Sequence, residues 1–146
     1  IFCTIKKDKF KILAYVIMPS HFHWIVIVDK NFRTISDIMR DIKKYSAWDI
    51  MDEIMKNDKD LMSVFIEEAK KYPNHKRKFW MQRFDDEAIR NEKMFLTKLH
   101  YIHNNPVETG LVNKPESYKF SSAQNYVYAD NSILEVDTEY AGIEIK

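Results

Sequence analysis

Two apolar stretches divided by a two-residue break constrain this chain more than any other feature: Lys11-Ile-Leu-Ala-Tyr-Val-Ile-Met18, then Pro19-Ser20, then His21-Phe-His-Trp-Ile-Val-Ile-Val28. Both stretches are rich in β-branched and aromatic residues, and a Pro-containing break between such runs predicts two adjacent strands. Strand side chains alternate between faces, so His21 and His23 share one face while Phe22 and Trp24 share the other. The continuous Ile25-Val-Ile-Val28 has no polar face, which predicts a central strand covered on both sides. Two neutral imidazoles on one strand face can bind one divalent ion. Alone, His-x-His is a weak signal, and a strand end with two half-exposed histidines is the better reading of it.

A second segment adds chemistry. Glu92 to Asn105 carries Phe95, Leu96, Leu99 and Ile102 at helical spacing, with Asn91 placed to cap its start and Pro106 to end it. Tyr101 and Asn105 are four residues apart and lie on one face, opposite the apolar stripe in this reading. An isolated Tyr-x-x-x-Asn is otherwise a surface tyrosine and a helix-stopping asparagine, since a residue before proline is pushed out of the α region.

The two segments together carry a resemblance. Ala14-Tyr-Val-Ile-Met-Pro-Ser-His-Phe-His23 resembles the His-hydrophobic-His signature of single-tyrosine HUH transposases. Tyr101-Ile-His-Asn-Asn-Pro-Val-Glu-Thr-Gly-Leu-Val112, followed by Pro115-Glu-Ser-Tyr-Lys-Phe-Ser-Ser-Ala123, resembles the C-terminal signature of their REP-associated tyrosine transposase branch. Phe79-Trp-Met-Gln-Arg-Phe84 and Ala88-Ile-Arg-Asn-Glu92 are similar to that branch's linking segment, and Ser36-Asp-Ile-Met-Arg-Asp-Ile-Lys-Lys44 to its post-strand helix. Order and spacing match from about Leu13 to Tyr126. The resemblance implies that His21 and His23 are metal ligands, that Asn105 is the third, and that Tyr101 is the nucleophile. It also implies a ferredoxin-like antiparallel sheet with the His-x-His strand central and the tyrosine helix facing it. One departure is that Asp86-Glu87 stand where the branch often carries Glu-His. Another is the start: residues 1–146 are expected to form a single domain that lacks the family's N-terminal strand and part of its first helix.

Such a donor set suits phosphodiester chemistry. Two imidazoles and one amide oxygen are neutral, so a divalent ion keeps its full charge for phosphate oxygens. Mg²⁺ or Mn²⁺ is expected, and nitrogen ligation favours Mn²⁺ as the better activator. A tyrosine, with an ordinary pKa near 10, needs help to attack at neutral pH. Its product, a 5′-phosphotyrosine, conserves the bond for a later strand transfer. With the substrate that the resemblance implies, the expected activity is nicking and strand transfer on single-stranded, hairpin-containing DNA. Two alternatives stand beside it: a domesticated hairpin-binding protein with an idle site, and a metal-dependent nuclease that uses water.

Charge distribution bears on the DNA partner. The net charge of +1 does not announce a nucleic-acid binder. The tract from Ala69 to Phe84, however, has no acid and holds Lys70, Lys71, Lys76, Arg77, Lys78 and Arg83, interleaved with Tyr72, Phe79, Trp80 and Phe84. Basic groups neutralise phosphates and aromatic faces stack on bases. A solvated loop anchored by Phe79-Trp80 fits the tract equally well, and its place just before the tyrosine helix favours DNA. Lys76, Arg77 and Lys78 are the leading contacts; Arg83 and Arg90 are candidates that could instead pair with Asp85, Asp86 or Glu87, and Lys43 and Lys44 are weaker ones.

The rest of the chain completes an α+β reading, an antiparallel sheet with helices packed on one side. Thr34–Met55 predicts a helix with Ile35, Ile38, Met39 and Ile42 on one face; Leu61–Lys71 predicts a shorter one with Met62, Phe65 and Ile66 in the core. His75, His100 and His103 show no ligand pattern. The tail from Asp130 is expected to add an edge strand or a docking arm. The single cysteine, Cys3, excludes an internal disulfide and a cysteine-based zinc ribbon. No apolar run approaches the roughly 18 residues of a membrane span, so no membrane partner is expected and the location is expected to be cytoplasmic. A monomer and a homodimer both stay open.

Overall fold

In the computed structural model, residues 9–71, 79–81 and 83–139 are described. They form an α+β arrangement with two antiparallel strands, β1 (Phe10–Ile17) and β2 (Phe22–Val28), and four α-helices, α1 (Ile35–Asn57), α2 (Lys59–Ala69), α3 (Glu92–Glu108) and α4 (Ala123–Tyr128). The chain gathers into two compact units, one over Arg33–Glu87 and one built from residues 9–32 and 88–139. None of the helices among the described residues is long and apolar enough to cross a membrane.

The second unit holds the sheet. The turn between the strands is closed by the Met18 amide, which donates to the His21 carbonyl at 2.8 Å. Pairing runs from Ile17↔Phe22 through Val16↔His23 and Tyr15↔Trp24 to Ala14↔Ile25, then shifts at Leu13 and resumes at Ile12↔Val26. Two residues facing one bend the strand and leave a carbonyl outside the ladder. Here the Leu13 carbonyl accepts a 2.7 Å bond from the Tyr126 hydroxyl. Paired residues share a face, so Ala14 and Val16 lie with Ile25 and His23. That face packs on α3, and Leu13, Ala14, Val16, Met18, Ile25, Phe95, Leu99 and Ile102 form the core. On the other face Trp24 meets Phe10 and Phe22 at ring-centre distances of 5.7 and 5.8 Å.

The free edge of β1 is occupied by the chain that returns after α3. Ile17 donates to Phe120, Ser122 donates to Tyr15, and Asp137 donates to Ile12. Lys11 pairs with Asp137 at 2.8 Å, and Asn125 holds Asn131 and the Leu134 carbonyl. The described part of the tail is thus a docking arm and not a strand. Among the described residues β2 pairs with β1 alone, and Val26, Ile27 and Val28 are half-buried. The expected cover on both sides is therefore not seen within this set.

α3 corrects three expectations. Pro106 lies inside it and does not end it. A proline near a helix end forfeits a single backbone bond, to the carbonyl four residues back, and its fixed φ suits the helix. The stop comes later, at Thr109 and at Gly110, which adopts φ +74°. Leu96, assigned to the apolar stripe, is exposed, while Pro106 is buried. Asn105, expected opposite the stripe, is only 6% exposed. It lies three residues beyond Ile102, and such a pair shares a helix face.

The first unit is built on α1 and α2. Thr34 and Asp37 form a reciprocal capping box at the start of α1. Asp58 ends α1 and caps α2 through a 2.9 Å bond from the Leu61 amide. Ile38, Met39, Met51, Met62 and Ala69 are buried, whereas Ile66, expected in the core, is exposed. Phe79 packs on Phe65, and the Trp80 indole donates to Ser46 at 2.9 Å. The Phe79-Trp80 pair therefore serves as an apolar anchor of this unit.

Candidate active site

β2 and α3 bring three aromatic side chains together. His21 immediately precedes β2 and is exposed; His23 is the second residue of the strand and is half-buried. Their ring centres are 4.9 Å apart in an edge-to-face arrangement. Tyr101, on α3, meets His23 edge-to-face at 5.4 Å and is 47% exposed. The Val16↔His23 pairing fixes the imidazole on the face that α3 covers.

Asn105 lies one helical turn beyond Tyr101, a rise of about 6 Å. Its Oδ1 is buried and has no hydrogen-bond partner among the described residues. A buried amide oxygen without a partner is destabilising by about 1–3 kcal/mol, so such an atom calls for an explanation. A cation is one partner that would satisfy it.

The spacing of the two imidazoles suits two ligands of one divalent metal ion. Two imidazoles bound side by side on one ion place their ring centres about 5 Å apart, as His21 and His23 are. Burial, and then the proximity of His21, hold the His23 pKa below the ordinary imidazole value. A neutral ring is the form that binds metal. Among the described residues no three His, Cys, Asp or Glu side chains gather, so an acidic or thiolate-rich metal centre is not present within that set.

His103, set aside in the sequence as having no ligand pattern, is a structural group. Its Nε2 lies 2.8 Å from the Ser122 hydroxyl, and its ring meets Tyr126 at 5.2 Å. Ser122 Oγ also accepts from the Tyr15 amide at 2.9 Å and donates to the Tyr15 carbonyl at 3.1 Å. One hydroxyl offers one donor and two acceptor sites, so His103 is the remaining donor, protonated on Nε2. This knot ties α3 to β1 beside the candidate site.

Burial, and then the nearby His100, push the His103 pKa down to about 4. An unfolded histidine titrates near 6.5, so between these values the unfolded chain takes up a proton that the folded chain refuses. The stabilisation is complete above about pH 6.5 and falls away by about 3 kcal/mol as the pH drops towards 4. His103→Gln keeps a donor for Ser122 and does not titrate. Urea midpoints of this variant should lose most of their dependence on pH between 7 and 4.5. An unchanged slope would place the acid sensitivity in other groups.

The basic candidates divide. Lys76, Arg77 and Lys78 lie outside the described residues. Lys70 and Lys71 form ion pairs with Glu67 and Glu68 one helical turn back. Lys43 donates to the carbonyls of Met81 and Arg83, both at 2.8 Å, and sits 5.5 Å from the centre of the Phe84 ring. Burial lowers its pKa. It is thus engaged within the first unit with Met81, Arg83 and Phe84. Lys44 lies over the exposed rings of Tyr45 and Trp48, and Arg83 and Arg90 are exposed.

No protein-family model matches the chain, and no solved structure matches it. Over 119 residues it is 27% identical to the REP-associated tyrosine transposase of Escherichia coli (strain K12). The match covers 81% of this chain and 58% of that protein, so the chain spans a little over half the length of the relative that it resembles.

Proposed function

We propose that this chain carries the active site of a single-tyrosine transposase of the HUH type, in its REP-associated branch. In this reading it nicks single-stranded, hairpin-containing DNA and transfers the strand through a 5′-phosphotyrosine on Tyr101. The observation that carries the reading is the pair of ring contacts His21–His23 and His23–Tyr101, with the Asn105 oxygen, unpartnered among the described residues, one turn further along α3. The likeness to a tyrosine transposase supports the same assignment. The two strands then form part of a ferredoxin-like sheet with the tyrosine helix on one face.

The roles follow from the residues. His21, His23 and Asn105 would hold Mg²⁺ or Mn²⁺. Such an ion, when bound, withdraws charge from a phosphate oxygen. Tyr101, half-exposed on α3, gives up its hydroxyl proton and attacks phosphorus. The bond from phosphorus to the 3′ oxygen breaks, and that oxygen takes up a proton to leave as a hydroxyl. The new tyrosine–phosphate ester keeps the 5′ end attached for rejoining.

The test is incubation with single-stranded hairpin DNA and Mn²⁺, read on a denaturing gel. A protein–DNA adduct that needs the metal is the expected result. Cleavage without an adduct would make water the nucleophile, and binding without cleavage would make the site idle.

The tract before α3 supplies a separate expectation. Neutralising Lys76, Arg77 and Lys78 together with Gln should weaken single-strand binding. It should also make the dependence of log K on log salt shallower by about 2, if each contacts one phosphate. An unchanged slope would remove these residues from the DNA interface.

A further inference from the structure

We infer that Ser20 is a positioning residue that selects Nε2 of His21 as the metal-binding atom, an inference that rests on the metal-dependent reading above. The two candidate histidines are held in different ways. His23 lies within β2, half-buried, with two aromatic ring neighbours, His21 and Tyr101. His21 precedes the strand and is exposed, so packing alone does not hold its ring.

The Ser20 hydroxyl lies 3.0 Å from His21 Nδ1. A neutral imidazole has one nitrogen that carries a proton and one with a free lone pair. With Nδ1 engaged by Ser20, Nε2 is the nitrogen left to face a ligand. A lone pair at Nε2 requires the proton on Nδ1, where the serine oxygen accepts it. Contacts of this kind orient metal-binding histidines and set their tautomer. The turn that delivers Ser20 is itself fixed by the bond from the Met18 amide to the His21 carbonyl. Serine can donate as well as accept, so its preference for one tautomer is weaker than a carboxylate's.

This difference supplies the test. Mn²⁺ affinity is measured by calorimetry on the full chain without DNA, at one pH, for the wild type, Ser20→Ala, Ser20→Thr, Ser20→Asp and His21→Ala. Ser20→Ala should bind about tenfold more weakly, at the low end of the range for such orienting partners. Ser20→Thr should restore wild-type affinity, and Ser20→Asp should match or exceed it, because a carboxylate only accepts. Nitrogen-15 spectra of the metal-free protein should show His21 protonated mainly on Nδ1 in the wild type and shifted towards Nε2 protonation in Ser20→Ala. Equal affinity and equal tautomer populations in the wild type and Ser20→Ala would overturn the role of Ser20 while leaving the metal site standing. A wild type that binds no Mn²⁺, or binds it as His21→Ala does, would overturn the metal site and this inference with it.

Discussion

Tyr101→Phe is expected to abolish both the covalent adduct and strand cleavage while leaving the fold, Mn²⁺ binding and DNA binding in place. The substitution removes one oxygen and almost no volume, and the ring is half-exposed on α3. Its edge-to-face contact with His23 needs the ring and not the hydroxyl. A phenyl ring cannot attack phosphorus, so the chemistry should stop at a bound, uncut strand. The measurement is a denaturing gel beside a binding titration on the same hairpin. Cutting at the wild-type rate would make water the nucleophile and end the transposase reading. Slow cutting without an adduct would leave the metal competent and reduce Tyr101 to an accessory.

Asn105→Leu is expected to move stability and metal binding in opposite directions. The buried Oδ1 has no partner among the described residues, so a leucine of similar size should stabilise the metal-free protein by about 1 kcal/mol, within the penalty expected for an unsatisfied buried group. The helix itself should persist, because Thr109 bonds to the Asn105 carbonyl and not to its side chain. Mn²⁺ at a hundred times its dissociation constant should stabilise the wild type by about 2.7 kcal/mol and the variant far less. Denaturation curves with and without Mn²⁺ decide the matter. A variant that is less stable than the wild type and equally responsive to Mn²⁺ would make Asn105 a structural residue. A gain in stability together with loss of the metal response is the signature of a ligand held ready at the expense of the fold.

What could be read from the residues alone follows their periodicity. Alternation on either side of Pro19-Ser20 specifies two strands and sends His21 and His23 to one face. Helical spacing around Phe95, Leu99 and Ile102 specifies α3, and Asn91 begins it at the expected place because an N-cap depends on local bonds to the next turn. Thr34 begins α1 for the same reason. These features depend on a few consecutive residues and survive any tertiary arrangement.

Other features depend on what the chain meets at a distance. Pro106 continues α3 because later residues supply the stop and the core covers the ring. Asn105 is buried because it borders the stripe that packs on the sheet, and no local pattern distinguishes a buried asparagine from a surface one. The bond between His103 and Ser122 crosses from α3 to the chain that follows it, and the bulge at Leu13 is filled by Tyr126 from far along the sequence. Lys43, one basic residue among many in the sequence, is taken up by the carbonyls of Met81 and Arg83. The sequence by itself determined the strands and the helix starts, because those follow from short-range sterics and capping. Only the tertiary structure decided which groups meet, because burial and pairing between distant segments set whether a polar atom is satisfied, neutral or left without a partner.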